Sequence, residues 1–502
     1  MLRPQKILGP ILSLFGLILV LAPQVRAENP APDPPTIRRI TIEGNVRTRT
    51  EVIRRELLFS EGEPLDSSLV AETERNLRRL YYLGRARIRV READGAADVA
   101  VEVQDLYSRA LSPWISGAPG ELSYGLIALD YNLLGRGQIA EITVERDAVS
   151  GGYARAYYRA PRLLDSRHAL TTTVGAGAEG HEAGATVSHP YYSLSTQWSY
   201  GLSLNTRQRI ERLYTSQILT HRYSDRLDSG TMWISRSYGD RVKIRPRAGL
   251  SVSDRRFAPE PGTTYAPTDR RRVIPSLGLL IWRPRYERVR FIHDLGRTED
   301  LQIGSWASLG AGLSHLAFGS DRSFGVLQAQ ISPHFKPLPN SYAFISLYLG
   351  ARRGRSAFTN LVSHAELTTY LHVREIHTLG LRVRFDALAR PEDASQLLLG
   401  LETGLRGYAP RRFDGTRRFI ANVEARPVLY RHPGFVLASV LFLDAGKAWT
   451  PGLARRSISA AAGAGARVGL ARVYHNPVLR ADLAYGFTDR AWQVSVGVGQ
   501  YF

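Results

Sequence analysis

Two hydrophobic rhythms divide the chain. In the first, Ile37-Arg38-Arg39-Ile40-Thr41-Ile42-Glu43 partly alternates and Gly44-Asn45 closes it, which predicts a strand. Val52, Ile53, Glu56 and Leu57 then share one side of a helix that Thr50 can cap. Leu69, Val70, Thr73, Leu77, Leu80 and Tyr81 recur at helical spacing in a second helix, opened by Asp66 or Ser67 and stopped at Gly84. Ala86–Val90 and Val99–Val103 alternate as two more strands. The order β-α-α-β-β over residues 36–105 predicts a small α+β domain.

From residue 106 to 502 the helical rhythm is gone. Segments of about ten residues alternate apolar with polar between Gly, Pro, Asn and Asp, as in strands with lipid on one side and water on the other. In His364–Glu375, Ala365, Leu367, Thr369, Leu371 and Val373 share one side, and Glu366, Thr368, Tyr370, His372 and Arg374 the other. The next segment sets Leu379, Leu381, Val383 and Phe385 against Gly380, Arg382, Arg384 and Asp386. The same texture marks 122–130, 137–146, 152–159, 168–178, 198–204, 230–237, 247–252, 303–313, 325–331, 342–351, 419–429, 435–444, 457–470, 479–485 and 492–502. Residues 255–272 and 354–363 read as surface loops, and 285–300 is ambiguous. A soluble sandwich would alternate too, but 24 Tyr and 7 Trp suit a protein with two bilayer interfaces. An open sheet edge cannot stand in hydrocarbon, so the last strand must return to the first. The fold expected is a mainly β chain, one small α+β domain followed by a transmembrane antiparallel β-barrel.

The amino terminus fits an exported protein. Arg3 and Lys6 precede an apolar run from Ile7 to Leu21, and Val25-Arg26-Ala27 supplies a cleavage site, so residues 1–27 read as a signal peptide and 28–35 as a linker. The run is shorter than the roughly 20 residues a spanning helix needs. The chain carries 66 Lys+Arg against 46 Asp+Glu and no cysteine, which excludes disulfides and cysteine metal sites. No dense basic run with interleaved aromatics points to nucleic acid. Gly175-Ala176-Gly177-Ala178-Glu179-Gly180 has dinucleotide-loop spacing but lies in a strand pattern with no helix behind it. His364, His372 and His377 read as lumen lining rather than a metal site. No catalytic constellation, cofactor or metal is expected.

Two short motifs remain. Leu405-Arg406-Gly407-Tyr408 reads as a loop tip, and in Phe442-Leu443-Asp444-Ala445-Gly446 the residues Phe442, Asp444 and Gly446 share one strand face. A carboxylate facing the inside of a barrel needs a partner, and a guanidinium offers a bidentate match. The alternative for Arg406 is a solvated loop arginine. The two motifs resemble the loop tip and wall partner of the bacterial surface-antigen superfamily of outer-membrane assembly and translocation barrels. Residues 36–105 likewise resemble a polypeptide-transport-associated (POTRA) domain, closest at Gly44-Asn45 and at Leu77–Gly84. Asn132-Leu133-Leu134-Gly135-Arg136-Gly137 is similar to the turn after the family's first barrel strand. The resemblance implies about 16 strands and an Arg406–Asp444 contact in the lumen. It also implies a sorting signal on the last strand, with Gly497 and terminal Phe502, although Gln500 stands where the family has an apolar residue.

The function it implies is insertion or translocation of unfolded client proteins at the outer membrane, the periplasmic domain receiving them by strand addition. Its expected partners are outer-membrane lipid, clients, and a periplasmic or inner-membrane protein. The alternative is a passive channel in which Arg374, Arg382 and Arg384 set an anion preference.

Overall fold

A computed structural model describes residues 34–295, 298–374, 376–453, 457–470 and 478–502. The expected signal peptide, and the linker up to residue 33, lie outside the described residues.

The first domain runs β1 (Thr36–Glu43), α1 (Thr50–Arg54), α2 (Ser67–Arg78), β2 (Leu83–Ala93) and β3 (Ala96–Asp105). Asp66 caps α2 by accepting from the Ser68 amide at 2.7 Å. Asp94 and Gly95, both at positive φ, form the two-residue turn between β2 and β3. The sheet order is β1-β3-β2, with β1 parallel and β2 antiparallel to β3. Ile37, Ile53, Leu77, Leu83, Val99 and Val101 form its buried core. Fully burying such side chains contributes on the order of 1.5–3 kcal/mol each. Residues 62–64 cover the outer edge of β1, through Gly62 to Ile37 at 2.8 Å and Ile37 to Glu63 at 2.9 Å. Among the described residues no such backbone cover lies along residues 85–93 of β2.

The barrel wall begins with β4 (Arg109–Ala118), β5 (Glu121–Asp130), β6 (Ile139–Asp147), β7 (Gly151–Ala160), β8 (Ala169–Gly177) and β9 (Gly180–His189). The long strands β10 (Trp198–Thr215), β11 (Ile218–Arg236), β12 (Lys243–Pro259) and β13 (Arg270–Trp282) follow. After an inserted hairpin, β14 (Tyr286–Val289) and β15 (Glu299–Gln302), come β16 (Trp306–Ser314), β17 (Phe324–Ser332), β18 (His334–Phe335), β19 (Ser341–Arg353), β20 (Phe358–Val373) and β21 (His377–Ala389). β22 (Leu397–Leu399) and β23 (Phe413–Gly415) pair within the next loop. The wall ends with β24 (Arg417–Arg426), β25 (Val428–His432), β26 (Phe435–Trp449), β27 (Ser459–Gly469), β28 (Val478–Gly486) and β29 (Ala491–Val498).

The sheet closes through β29 onto β4. β17 and β18 are one strand interrupted at Pro333, and β24 and β25 one strand interrupted at Pro427; each pair shares a neighbour, β19 and β26 respectively. Proline has no amide hydrogen for a ladder. Counted this way the barrel has 20 strands, which corrects the expected number of about 16. β4, β9 and β13 have no counterpart among the segments predicted from sequence. Parts of the two expected surface loops are also wall: 255–259 and 270–272 belong to β12 and β13, and 358–363 to β20. In β13 both faces carry apolar residues (Leu277 and Leu279 outside, Leu280 and Trp282 inside), so alternation is lost. The outer face is apolar and exposed, at Leu111, Ile115, Leu126, Ile142, Val144, Leu202, Leu441 and Leu443 among others.

The ambiguous stretch 285–300 forms most of the inserted hairpin. Its tip residues Phe291, Ile292 and Leu295 are buried against Val436, Ala438 and Val478 on one side and Tyr342 and Tyr370 on the other. The hairpin therefore folds into the barrel mouth that faces the first domain. That domain docks there. Arg78 holds Asp300 through two bonds of 2.9 and 2.8 Å. Arg288 donates to Glu74 at 2.7 Å, and the Arg75 guanidinium lies 4.5 Å from the Tyr286 ring centroid. At the β7–β8 and β9–β10 turns of the same mouth Glu56 accepts from Arg162 at 2.6 Å, and Glu72 from the Leu194 amide at 2.7 Å.

Candidate functional site

The loop between β21 and β24 turns down into the lumen. Its inner end, Leu405-Arg406-Gly407-Tyr408, is buried, and Arg406 is 1% exposed. The tip lies against β24, β26, β27 and β28, whose inward faces carry Asn422, Glu424, Asp444, Ala461 and Asp482. Gly407 is required by contact: a Cβ there would stand 2.5 Å from the Ala461 Cβ and 3.0 Å from the Gly486 Cα. Tyr408 anchors the far side, its hydroxyl donating to the Ala460 carbonyl at 2.8 Å.

Arg406 meets Asp444 as a fork on a carboxylate. Nε donates to Oδ2 and Nη2 to Oδ1, both at 2.8 Å, and the Arg406 amide donates to Oδ2 at 3.2 Å. Nη1 donates to Glu424 Oε1 at 2.5 Å. Asn422 Nδ2 ties the loop to the same carboxylate, 2.9 Å from the Gly404 carbonyl and 2.8 Å from Asp444 Oδ1. The guanidinium lies between two rings, Phe442 with its centroid at 3.5 Å and Tyr501 at 4.1 Å. This arrangement suits arginine and not lysine, because only a planar guanidinium can bridge two carboxylates and stack on both faces.

Tyr501 reaches this place because the chain leaves the wall early. The last strand stops at Val498, and Gly499, at φ +90°, turns the tail inward. This corrects the expected last strand of 492–502, which placed Phe502 on the wall. The tail lies inside: Tyr501 hydroxyl accepts from the Gly404 amide at 3.1 Å and donates to the Leu401 carbonyl at 2.8 Å. The Phe502 backbone oxygen accepts from Arg426 Nη2 at 2.7 Å. Gln500, out of place on a lipid-facing strand, belongs to that inward turn. Gly497 remains on β29, where a Cβ would lie 2.9 Å from Arg480 Nε.

The result is a buried charged cluster. Arg406, Arg426, Arg467 and Arg480 are set against Asp444, Glu424 and Asp482, and Arg426 also donates to the Phe502 backbone oxygen. Sequence reasoning identifies Arg406 and Asp444; it misses Glu424, Arg426, Arg467, Asp482 and Tyr501. Inward-facing charge on β24, β27 and β28 was the available signal. Of the three arginines expected to set an anion preference, two are otherwise engaged: Arg382 donates to Glu366 at 3.1 Å and Arg384 to Asp386 at 2.9 Å. His364 accompanies Asp386 at 2.9 Å, and His377 Nδ1 accepts from the Val428 amide at 3.0 Å.

Beside this cluster lies the seam. β29 and β4 share a single register pair, Val496 with Gly117, whereas β28 pairs with β29 from Leu479 to Gly486. Pro113 in the middle of β4 has no amide hydrogen to offer, and β29 is only 8 residues long.

Residues 35–104 match the POTRA family described as "Surface antigen variable number repeat". The amino-terminal domain is a POTRA domain. Followed by a closed barrel with an apolar outer face, it makes the chain a POTRA-bearing outer-membrane barrel. The POTRA domain stands on the periplasmic side, so the hairpin and the chain terminus enter from the periplasmic mouth and the Arg406 loop from the outer one. Among solved structures, BamA from Haemophilus ducreyi lacking POTRA domains 1–3 is similar at 13% identity and TM-score 0.42, over 93% of this chain and 84% of that one. CdiB from Acinetobacter baumannii gives 12% and 0.45 over 93% and 74%, and CdiB from Escherichia coli 11% and 0.39 over 100% and 99%. No curated protein matches the chain in sequence.

Proposed function

We propose that the protein inserts polypeptides into the outer membrane or passes them across it, without covalent chemistry. The observation that carries this reading is the seam: a barrel of 20 strands whose first and last strands share one register pair. Unpaired backbone at a wall edge is costly in hydrocarbon, and an incoming strand would satisfy it. The POTRA domain supplies the feature needed upstream, a β2 edge whose outer side is uncovered and open to strand addition. The Leu405-Arg406-Gly407-Tyr408 tip and its wall partners Phe442, Asp444 and Gly446 hold the lumen loop beside the seam. The inward tail binds the end of β29 to that same loop.

The chain lacks cysteine, so a pair introduced at Ser495 and Ala118, next to the Val496–Gly117 pair, forms the only disulfide possible. Oxidation should stop client delivery and reduction restore it. Undiminished delivery with the seam locked would overturn the proposal. Photocrosslinkers at Arg87 and Arg89 on β2 should trap the clients themselves.

A further inference from the structure

Most lumenal arginines sit on a carboxylate: Arg155 on Glu141, Arg255 on Asp225, Arg382 on Glu366, Arg467 on Asp482. Arg245 and Arg247 do not. Both lie on the lumen face near the periplasmic end of β12, in register with Leu280 and Gly278 of β13. Among the described residues neither has an acidic partner within 4.0 Å, and Lys243, two positions away on the same face, is held only by the Gly239 carbonyl. Arg245 is 8% exposed, so a nine-tenths buried cation stands there without a counter-charge. Burying a charge this way is costly unless something pairs with it.

The side chain is nonetheless rigidly placed. Its guanidinium carbon is 3.8 Å from the Tyr191 ring centroid and 5.1 Å from that of Trp282, and Nε donates to Ser237 Oγ at 3.1 Å. Among the described residues that leaves the two Nη groups, the half of the fork that matches a carboxylate, with no acceptor. They border a recess of about 460 Å³ in the lumen wall, which no Asp or Glu lines. Arg247, stacked 5.0 Å from the Trp233 ring, forms its second cationic corner. Trp306 and Tyr348 provide flat walls, and Gln328 and Gln330 provide amide donors and acceptors. The volume is in the range of small-molecule sites.

We propose that this recess binds a small aromatic carboxylate, with the acid group on Arg245 and Arg247 and the ring against Trp233 and Trp306. The site is separate from the Arg406 cluster and from the seam, and it does not depend on the function proposed above.

The test uses the full-length protein in detergent, titrated calorimetrically with N-acetylphenylalanine and with N-acetylphenylalaninamide. The acid should bind at least tenfold more tightly than the amide. Arg245→Gln should weaken acid binding tenfold or more, Arg247→Gln should weaken it less, and Arg155→Gln, which alters a lumenal arginine already paired with Glu141, should leave it unchanged. Heat-modifiable mobility verifies that each variant is a closed barrel; if Arg245→Gln does not assemble, Arg247→Gln decides. Equal binding of acid and amide, no binding of either, or the same loss in Arg155→Gln as in Arg245→Gln would overturn the assignment.

Discussion

Arg406 is the residue with most to lose. Its removal would leave Asp444 and Glu424 buried beside each other with no cation between them, and breaking a buried pair costs about 3–5 kcal/mol. Arg406→Ala and Asp444→Ala should each lower the urea midpoint of the barrel in heat-modifiable electrophoresis. Arg406→Lys should rescue only part of the loss, since an ammonium makes neither the fork nor the stacking. A midpoint unchanged in all three would show that the cluster does not hold the loop. Another carboxylate gives a pH-dependent counterpart. Glu392, in the outer loop after β21, receives Arg270, Arg272 and Arg352. Burial works against its charge, but the hydrogen bond and field of Arg272, with Arg352 behind it, hold its pKa down at about 2. Because the folded value lies below the ordinary one, its stabilisation is complete above the ordinary carboxylate range and is lost as pH falls toward about 2. The stability gap between wild type and Glu392→Gln should therefore be full at neutral pH and close in strong acid, as read by thermal unfolding in detergent at a series of pH values.

At the scale of elements, legibility followed how many surfaces each element serves. The POTRA strands and helices bury one face each, so Ile37, Val52, Leu77 and Val101 announce them by spacing alone. β20 and β21 have lipid outside and water inside, and their alternation is plain. β13 faces lipid on one side and the ring-lined recess on the other, and its pattern dissolves. The tail turns inward on a single backbone torsion at Gly499, which no periodicity records. The inserted hairpin is the element where the most was hidden: its apolar tip is buried in a lumen that should be polar, and its outer side carries Asp300 and Arg288 to the POTRA helix α2. If it joins the two domains, Asp300→Ala and Arg78→Ala should loosen the POTRA domain to about the same extent, and the double variant should add little to either. Protease sensitivity of the segment between β3 and β4 measures this. Fully additive losses would mean that the two residues act separately.

The whole molecule poses a problem of volume. Barrel diameter grows with strand number, and 20 strands enclose more space than side chains from the wall can fill. The chain fills it with its own segments: the Arg406 loop from outside, the hairpin and the carboxy-terminal tail from the periplasmic mouth. None of the three is a separate domain, and each is pinned by buried contacts: Arg426 donates to the Ile292 carbonyl at 3.2 Å, to the Phe502 backbone oxygen at 2.7 Å, and to Glu424, which in turn accepts from Arg406. A wide barrel so filled should conduct poorly. The intact protein in planar bilayers should therefore show small, infrequent openings. Replacing residues 285–303 with a short Gly/Ser turn should raise conductance by removing one obstruction. A further deletion within 397–415 should raise it more than the sum of the two single changes, because either segment alone still narrows the same path. A large, steady conductance in the intact chain would mean that the segments leave an open pore and that a passive channel describes the molecule better. Small conductance persisting after both deletions would place the obstruction in the POTRA domain docked across the periplasmic mouth.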